Sequence, residues 1–372
     1  MLRLRRLWLR AFRNYERAEL DFAAGTTALV GPNAQGKSNL LEAVYLVATG
    51  RSHRTVHEAE AIRLGDSSAR VRARITRPGH DEEIEITLAV DAGRLSAQMR
   101  VNGAVTPRGS VLGRLPVVLA APWDLEVVRG SAAGRRRLLD GALAQTSPSY
   151  YFALHRYHRV VMQRNAQLRQ HTATGGGGSA GLEAWDAQMV TLGTRITARR
   201  HDYALRLGPA ARGWFERLGG SGGLSVAYHP AWSGDTDERR EAEGRAQLMR
   251  RRADELKRGV TLTGPHRDDL ELTLDGMPLR IVGSVGQWRT VMLALRLAER
   301  DVMSVDLGGP PVLLLDDALA ELDDDRRRRV LHVDGEAQVL LTATALPASS
   351  AGVVRVCHVR GGTITEVEST RA

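Results

Sequence analysis

The octapeptide Gly31-Pro-Asn-Ala-Gln-Gly36-Lys37-Ser38 constrains the fold more than any other feature of the chain. It has the form G-x-x-x-x-G-K-S, and the apolar run from Thr26 to Val30 leads into it. Leu40, Leu41, Val44 and Val47 follow at helical spacing and end near Gly50. Strand, glycine-rich loop and helix in that order are what an anion-wrapping loop requires. The glycines let backbone N–H groups face phosphates, and the helix N-terminus adds a partial positive charge. The segment therefore predicts an α/β domain that holds a nucleotide with Gly31, Pro32, Asn33, Ala34, Gln35, Gly36, Lys37 and Ser38. Lys37 is expected to bridge the β- and γ-phosphates of ATP, and the Ser38 hydroxyl to ligate Mg²⁺. Of the 52 basic residues only Lys37 and Lys257 are lysines. A lysine kept where arginine serves nearly everywhere else marks a place that needs a compact ammonium.

Such a loop needs a carboxylate for its metal. Pro311-Val-Leu-Leu-Leu315-Asp316-Asp317 supplies one at the end of an apolar strand, where α/β sheets present ligands. Asp316 is expected to hold Mg²⁺, and Asp317 to orient the attacking water. The competing reading is a solvated acidic turn, since six carboxylates lie between Asp316 and Asp325. A third element, Ser284-Val-Gly286-Gln287, precedes the amphipathic helix predicted for Thr290 to Val302. It resembles the ABC-type signature, whose Ser and Gly bind the γ-phosphate of nucleotide held by another subunit. The same four residues also make an ordinary helix-capping turn.

Between the motifs the pattern changes. Residues 2–30 and 70–105 read as strands, the latter with a turn at Asn102-Gly103. Residues 135–171 read as helix, with Tyr150, Leu154, Tyr157 and Val161 on one stripe, and Arg129 to Gln170 hold eight arginines and one acid. Thr172 to Gly181 reads as a flexible linker. Helices are expected from Leu182 to Leu207 and from Asp235 to Arg258, with strands returning after Gly259. The expected organisation is an ATPase head from 1–118 and 259–372, with a helical arm at 119–258. One cysteine excludes an internal disulfide, and the basic N-terminus has no apolar core of a secretion signal, so a cytoplasmic protein is expected. No apolar run is long enough to span a bilayer. A net charge of +9 points to an acidic partner, nucleic acid before membrane.

Together these motifs resemble the RecF family of DNA repair proteins, relatives of the SMC ATPases. Matching segments are Phe12-Arg-Asn-Tyr15, the loop with Asn39 to Tyr45, Ala48 to Thr55, Gly134 to Asp140, Tyr157 to Arg169, Gly264-Pro-His-Arg-Asp-Asp-Leu270, SVGQWRT, and LLLDDALAELD ending at Asp323. The resemblance implies an ABC/SMC-type α/β head built from both chain ends with the arm inserted between. It also implies ATP-driven dimerisation around two nucleotides, DNA binding to duplex or gapped substrates, and action with RecO and RecR to help RecA load. Arg135, Arg136, Arg137, Arg156, Arg159 and Arg164 are candidate DNA contacts; a solvated helix face is the alternative.

Departures from the family pattern carry expectations too. Ala34 stands where SMC relatives have glycine, which predicts a negative φ there. Trp288 replaces a polar residue after the signature Gln. Asp317 replaces the Glu of many ABC-type heads and is about 1.5 Å shorter, which implies slow hydrolysis. His53 and Arg54 read as a solvated loop with the nucleotide as alternative. His266 to Asp269 read equally as a site or a salt-bridge cluster. The same loop, Asp pair and signature occur in the energising subunits of membrane transporters, against which the long insertion and GPHRDDL stand. A GTPase is disfavoured by the missing N-K-x-D motif.

Overall fold

The computed structural model describes residues 2–77, 79–174, 181–319, 322–331, 337–345 and 353–369. The chain divides into two units, one of residues 1–124, 213–221 and 289–372, the other of 125–212 and 222–288. Most of the expected linker, and Ala320 and Glu321 of the acidic motif, lie outside the described residues.

The first unit contains two six-stranded sheets. Numbered along the chain, β1 (Arg3–Phe12), β2 (Tyr15–Asp21), β4 (Ser68–Arg77), β5 (His80–Asp91), β6 (Arg94–Val101) and β7 (Ala104–Val105) form an antiparallel sheet in the order β2-β1-β4-β5-β6-β7. Alternation makes one face apolar: Leu4, Leu7, Leu9, Val71, Ala73, Ile75, Ile84, Ile86 and Leu88 are all buried. The β6–β7 hairpin turns on Asn102 (φ 49°) and Gly103 (φ 81°), as an Asn-Gly pair favours.

The second sheet combines β3 (Thr26–Val30), β8 (Val117–Ala120), β12 (Val312–Leu315), β13 (Val339–Ala343), β14 (Val353–Arg360) and β15 (Thr363–Ser369) in the order β15-β14-β3-β13-β12-β8. All pairs are parallel except β14–β15. Both chain ends therefore build one sheet. The helix α1 (Lys37–Thr49) belongs to the core that joins both sheets. Leu40, Leu41, Ala43, Val44, Leu46, Val47 and Ala48 are at most 1% exposed. Each buried leucine there contributes roughly 2 kcal/mol, and Gly50 (φ 74°) caps the end.

The second unit holds α2 (Leu125–Arg129), α3 (Ala132–Thr146), α4 (Pro148–Thr174), α6 (Asp237–Arg258), α7 (Leu279–Val282) and most of α5 (Leu182–Arg217). The helix α8 (Val285–Leu307) starts in it, and α9 (Asp324–Leu331) belongs to the first unit. The single helix expected over 135–171 is two, because Ser147-Pro148 breaks it and proline opens the second. The unit also contains a small sheet, β9 (Leu224–His229), β10 (Asp269–Leu274) and β11 (Met277–Pro278), in the order β11-β10-β9. This moves the expected boundary from 258 to 288: β10 pairs with β9 over six residues, from Asp269↔His229 to Leu274↔Leu224, and with no head strand. Among the described residues no helix is long and apolar enough to cross a membrane.

Candidate functional site

The loop after β3 is held in shape by its neighbours. At Gly31 a Cβ would lie 2.3 Å from the Val359 carbonyl oxygen, so only glycine lets the loop leave the sheet here. Gly36 has φ 115°, and a Cβ there would meet Asn14 at 2.6 Å and Tyr15 Oη at 2.8 Å. Asn14 Nδ2 donates to Gln35 O (2.9 Å) and Tyr15 Oη to Gly36 O (3.0 Å). Gly361 N–H donates to Gln35 Oε1 at 2.8 Å and Gly362 N–H to Gln35 O at 3.2 Å. Ala34 has φ 62°, not the negative value expected. The loop requires a left-handed residue between Pro32 and Gly36 and takes alanine into it at about 1 kcal/mol of strain.

Lys37 is 4% exposed, and its Nζ donates to Gly31 O (2.7 Å) and Pro32 O (2.8 Å) inside the loop. Ser38 Oγ donates to Asp316 Oδ1 at 2.7 Å, across 278 residues of sequence. The strand order explains the meeting. β3 and β12 flank β13, so the loop and Asp316 both emerge at the carboxyl ends of parallel strands. Thr342, on β13 between them, donates from Oγ1 to Asp316 Oδ1 (2.8 Å) and accepts from Asp317 N–H (2.9 Å). Sequence reasoning assigned Thr342, Asn14 and Gln35's clamp no role; their signal is three-dimensional.

The residues present fit a hard divalent cation. Asp316 is 1% exposed, and its Oδ2 is buried with no hydrogen-bond partner among the described residues. Burial pushes its carboxyl above the ordinary carboxylate value, against the hydrogen bonds from Ser38 and Thr342. A desolvated carboxylate oxygen beside a serine hydroxyl and a phosphate loop is the donor set that Mg²⁺ takes. Asp317 is exposed at the strand end with φ 48°, a conformation Asp tolerates.

The RecF/RecN/SMC N terminal domain model matches residues 3–348. The chain is 43% identical over 355 residues to the DNA replication and repair protein RecF of Synechocystis sp., covering 92% of each chain. The chain belongs to the RecF family. A solved structure of the recombination mediator protein RecF with ATP, of the RecFOR pathway, matches 99% of this chain and 98% of its own, with TM-score 0.91 and 28% identity. The Smc head domain of Pyrococcus furiosus, at 17% identity and TM-score 0.59 over 99% of this chain and 97% of its own, shares the fold. This is the RecF and SMC-head ABC-type ATPase fold, α/β with a helical arm.

The remaining RecF-type motifs divide between exposed and buried positions. Ser284 and Gly286 are exposed at the start of α8. Ser284 Oγ accepts Gln287 N–H (3.2 Å) while Ser284 N–H donates to Gln287 Oε1 (2.8 Å). The turn is thus a reciprocal capping box that leaves the hydroxyl proton to be donated outward, while Gln287 serves the cap. Of the segment His266 to Asp269, Asp268 is buried, His266 and Asp269 are half-buried and Arg267 is exposed. Arg200 binds Asp268 (3.0 Å) and Asp140 (2.9 Å), Tyr228 donates to Asp268, and His266 Nδ1 pairs with Tyr157 Oη at 2.8 Å. Burial holds the His266 imidazole down to about 4. Here the salt-bridge reading prevails over the site reading.

His53 is not solvated. Its ring stacks on Trp123 (5.3 Å between centroids) and meets Tyr45 edge-on (4.9 Å). Arg54 is exposed and donates to Asn39, on the first turns of α1.

The candidate DNA arginines also separate. Arg164 is 0% exposed, bound to Glu255 (2.6 Å), Asp186 (2.7 Å) and Thr261 (2.9 Å). Arg135 is 6% exposed and forks onto Asp269 at 2.7 and 2.9 Å. Both are corrected from phosphate contacts to internal braces, since they are buried and their donors are already spent on acceptors within the chain. Arg136 is half-buried and donates to Asp268 O at 2.6 Å. Arg137, Arg156 and Arg159 are exposed.

Proposed function

We propose that this RecF-family chain is an ATP-dependent DNA-binding repair protein of the cytoplasm whose nucleotide state sets its association. The meeting of Ser38, Asp316 and Thr342 beneath the phosphate loop carries the reading. Each ATP is cradled by Gly31 to Ser38 of one copy and capped by Ser284 and Gly286 of a second. ADP lacks the phosphate that completes that contact, so only ATP favours the paired state. Ser38 and Asp316 would hold Mg²⁺, which neutralises charge on the β- and γ-phosphates. Lys37 exchanges its two loop carbonyls for phosphate oxygens. Asp317 orients water, and its shorter reach makes the chain a weak ATPase, DNA-dependent in keeping with its family, whose hydrolysis releases the pair. Exposed Arg137, Arg156 and Arg159 contact phosphates of duplex or gapped DNA. By family, RecR and RecO are partners, and RecA loading is the downstream event.

Asp317→Asn tests the assignment. Asn tolerates the left-handed backbone as Asp does, so the strand end keeps its shape while the base is lost. ATP binding is expected unchanged and turnover at least tenfold lower, with the ATP-bound pair persisting in sedimentation. Normal turnover in Asp317→Asn places the water-orienting group elsewhere.

A further inference from the structure

Trp288 follows the signature turn; its N–H donates to Ser284 O at 2.9 Å, while its side-chain contacts are separate from the capping box of Ser284 and Gln287. Its indole Nε1–H donates to Leu279 O at 2.9 Å, the carbonyl that also accepts Gly283 N–H at 2.9 Å. The Arg129 guanidinium lies 4.6 Å from the ring centroid. A Cβ on Gly283 would stand 2.3 Å from Nε1 and 2.6 Å from Cδ1 of the same ring. Gly283 has φ −70°, open to any residue, so the close approach of the indole and of the Leu279 carbonyl oxygen (2.7 Å), not the backbone conformation, is what excludes a side chain. One ring thereby ties α2, α7 and the first turn of α8 together. Around the turn, Ile281 (68%), Val282 (45%) and Val285 (51%) are exposed.

We propose that Trp288, braced by Arg129 and seated on Gly283, is a positioning residue that fixes the Ser284–Gly286 turn for nucleotide held by a second copy. This rests on the association mechanism above. The capping box sets the turn's internal geometry but not its direction relative to α2 and α7. The indole bridge supplies that direction. A turn already oriented loses less freedom when it meets the γ-phosphate, so association is tighter while the nucleotide site of the single copy is untouched.

The test compares ATP-dependent association by light scattering with nucleotide affinity of the single copy, circular dichroism confirming each fold. Trp288→Phe keeps a ring and loses one hydrogen bond. It should raise the concentration for half-association roughly three- to tenfold with unchanged ATP affinity. Gly283→Ala, which pushes the ring away, should cost at least as much. Gly283→Ala in a Trp288→Ala background should cost less than in the wild type, since the ring is gone and only the contact with the Leu279 carbonyl oxygen (2.7 Å) remains. Association like wild type in both Trp288→Phe and Trp288→Ala, or full additivity of the Gly283 and Trp288 changes, overturns the brace. Ser284→Arg separates the two levels. If it associates normally with ATP, the signature reading itself fails. If it does not associate while the Trp288 variants do, only the brace fails. Should Trp288→Ala not fold, Trp288→Phe and Gly283→Ala still decide the matter.

Discussion

Ala34 and Asp317 both hold left-handed backbone, at φ 62° and 48°, on either side of the same nucleotide site. Strain of this kind survives only where the surroundings over-determine it, here by Asn14, Tyr15 and the Gly361-Gly362 turn for the loop and by Thr342 for the strand end. His53 shows burial acting on chemistry. Both ring nitrogens are buried with no hydrogen-bond partner among the described residues. Burial first, and then the charges of Arg54, Arg13 and Arg296, hold its pKa down to about 3. The unfolded chain takes up a proton near pH 6.5 and the folded chain does not, so stability falls as pH drops through 6.5. The loss approaches 1.4 kcal/mol per pH unit. His53→Phe keeps the stack on Trp123 and removes this liability. Relative to wild type it should gain about 2 kcal/mol between about pH 7 and about pH 5 in chemical denaturation. Parallel losses in the two proteins over that range contradict the account.

At the scale of an element, α4 shows what a sequence exposes and what it hides. Of the stripe read from spacing, Tyr150 (3%) and Tyr157 (0%) are buried while Leu154 and Val161 are half-buried, and Leu168 (0%) continues it. Arg164 falls seven residues beyond Tyr157, on the same stripe, and is buried with them. Its position on the helix, not its charge, carried the warning, and charge alone suggested phosphate. Arg156 and Arg159 face outward. Each phosphate contact releases counterions and adds about 0.9 to the log–log salt slope of DNA affinity. Arg156→Ala with Arg159→Ala should lower that slope by about 2 per chain in fluorescence anisotropy, with little sequence dependence. An unchanged slope takes the DNA site off α4. The return of strands after Gly259 was legible, but the partner of β10 was not. Pairing with β9 joins residues 40 apart, such as Asp269 and His229, and alternation says nothing of which distant strand is met.

Across the whole chain, the head's plan was legible because the phosphate loop and the Asp316-Asp317 pair each sit at a strand end with local punctuation. Glycines and lysine mark the phosphate loop, and four buried residues, Val312 to Leu315, mark the strand before Asp316. What could not be read was the clamp. Thr342 and the Gly361-Gly362 turn reach the site only through the order β14-β3-β13-β12, and Asn14 comes from the β1–β2 turn of the other sheet. The second unit's extent was hidden likewise, since its sheet closes through residues on both sides of α6. The central claim is that nucleotide state, read by this site, governs association. It is tested most directly by light scattering of the chain with Mg²⁺ and either ATP or ADP, beside Lys37→Met in ATP. The mass should double in ATP alone, while the ADP sample and the Lys37→Met sample remain single chains. Equal masses in ATP and ADP, or a Lys37→Met protein that pairs like wild type, would contradict it.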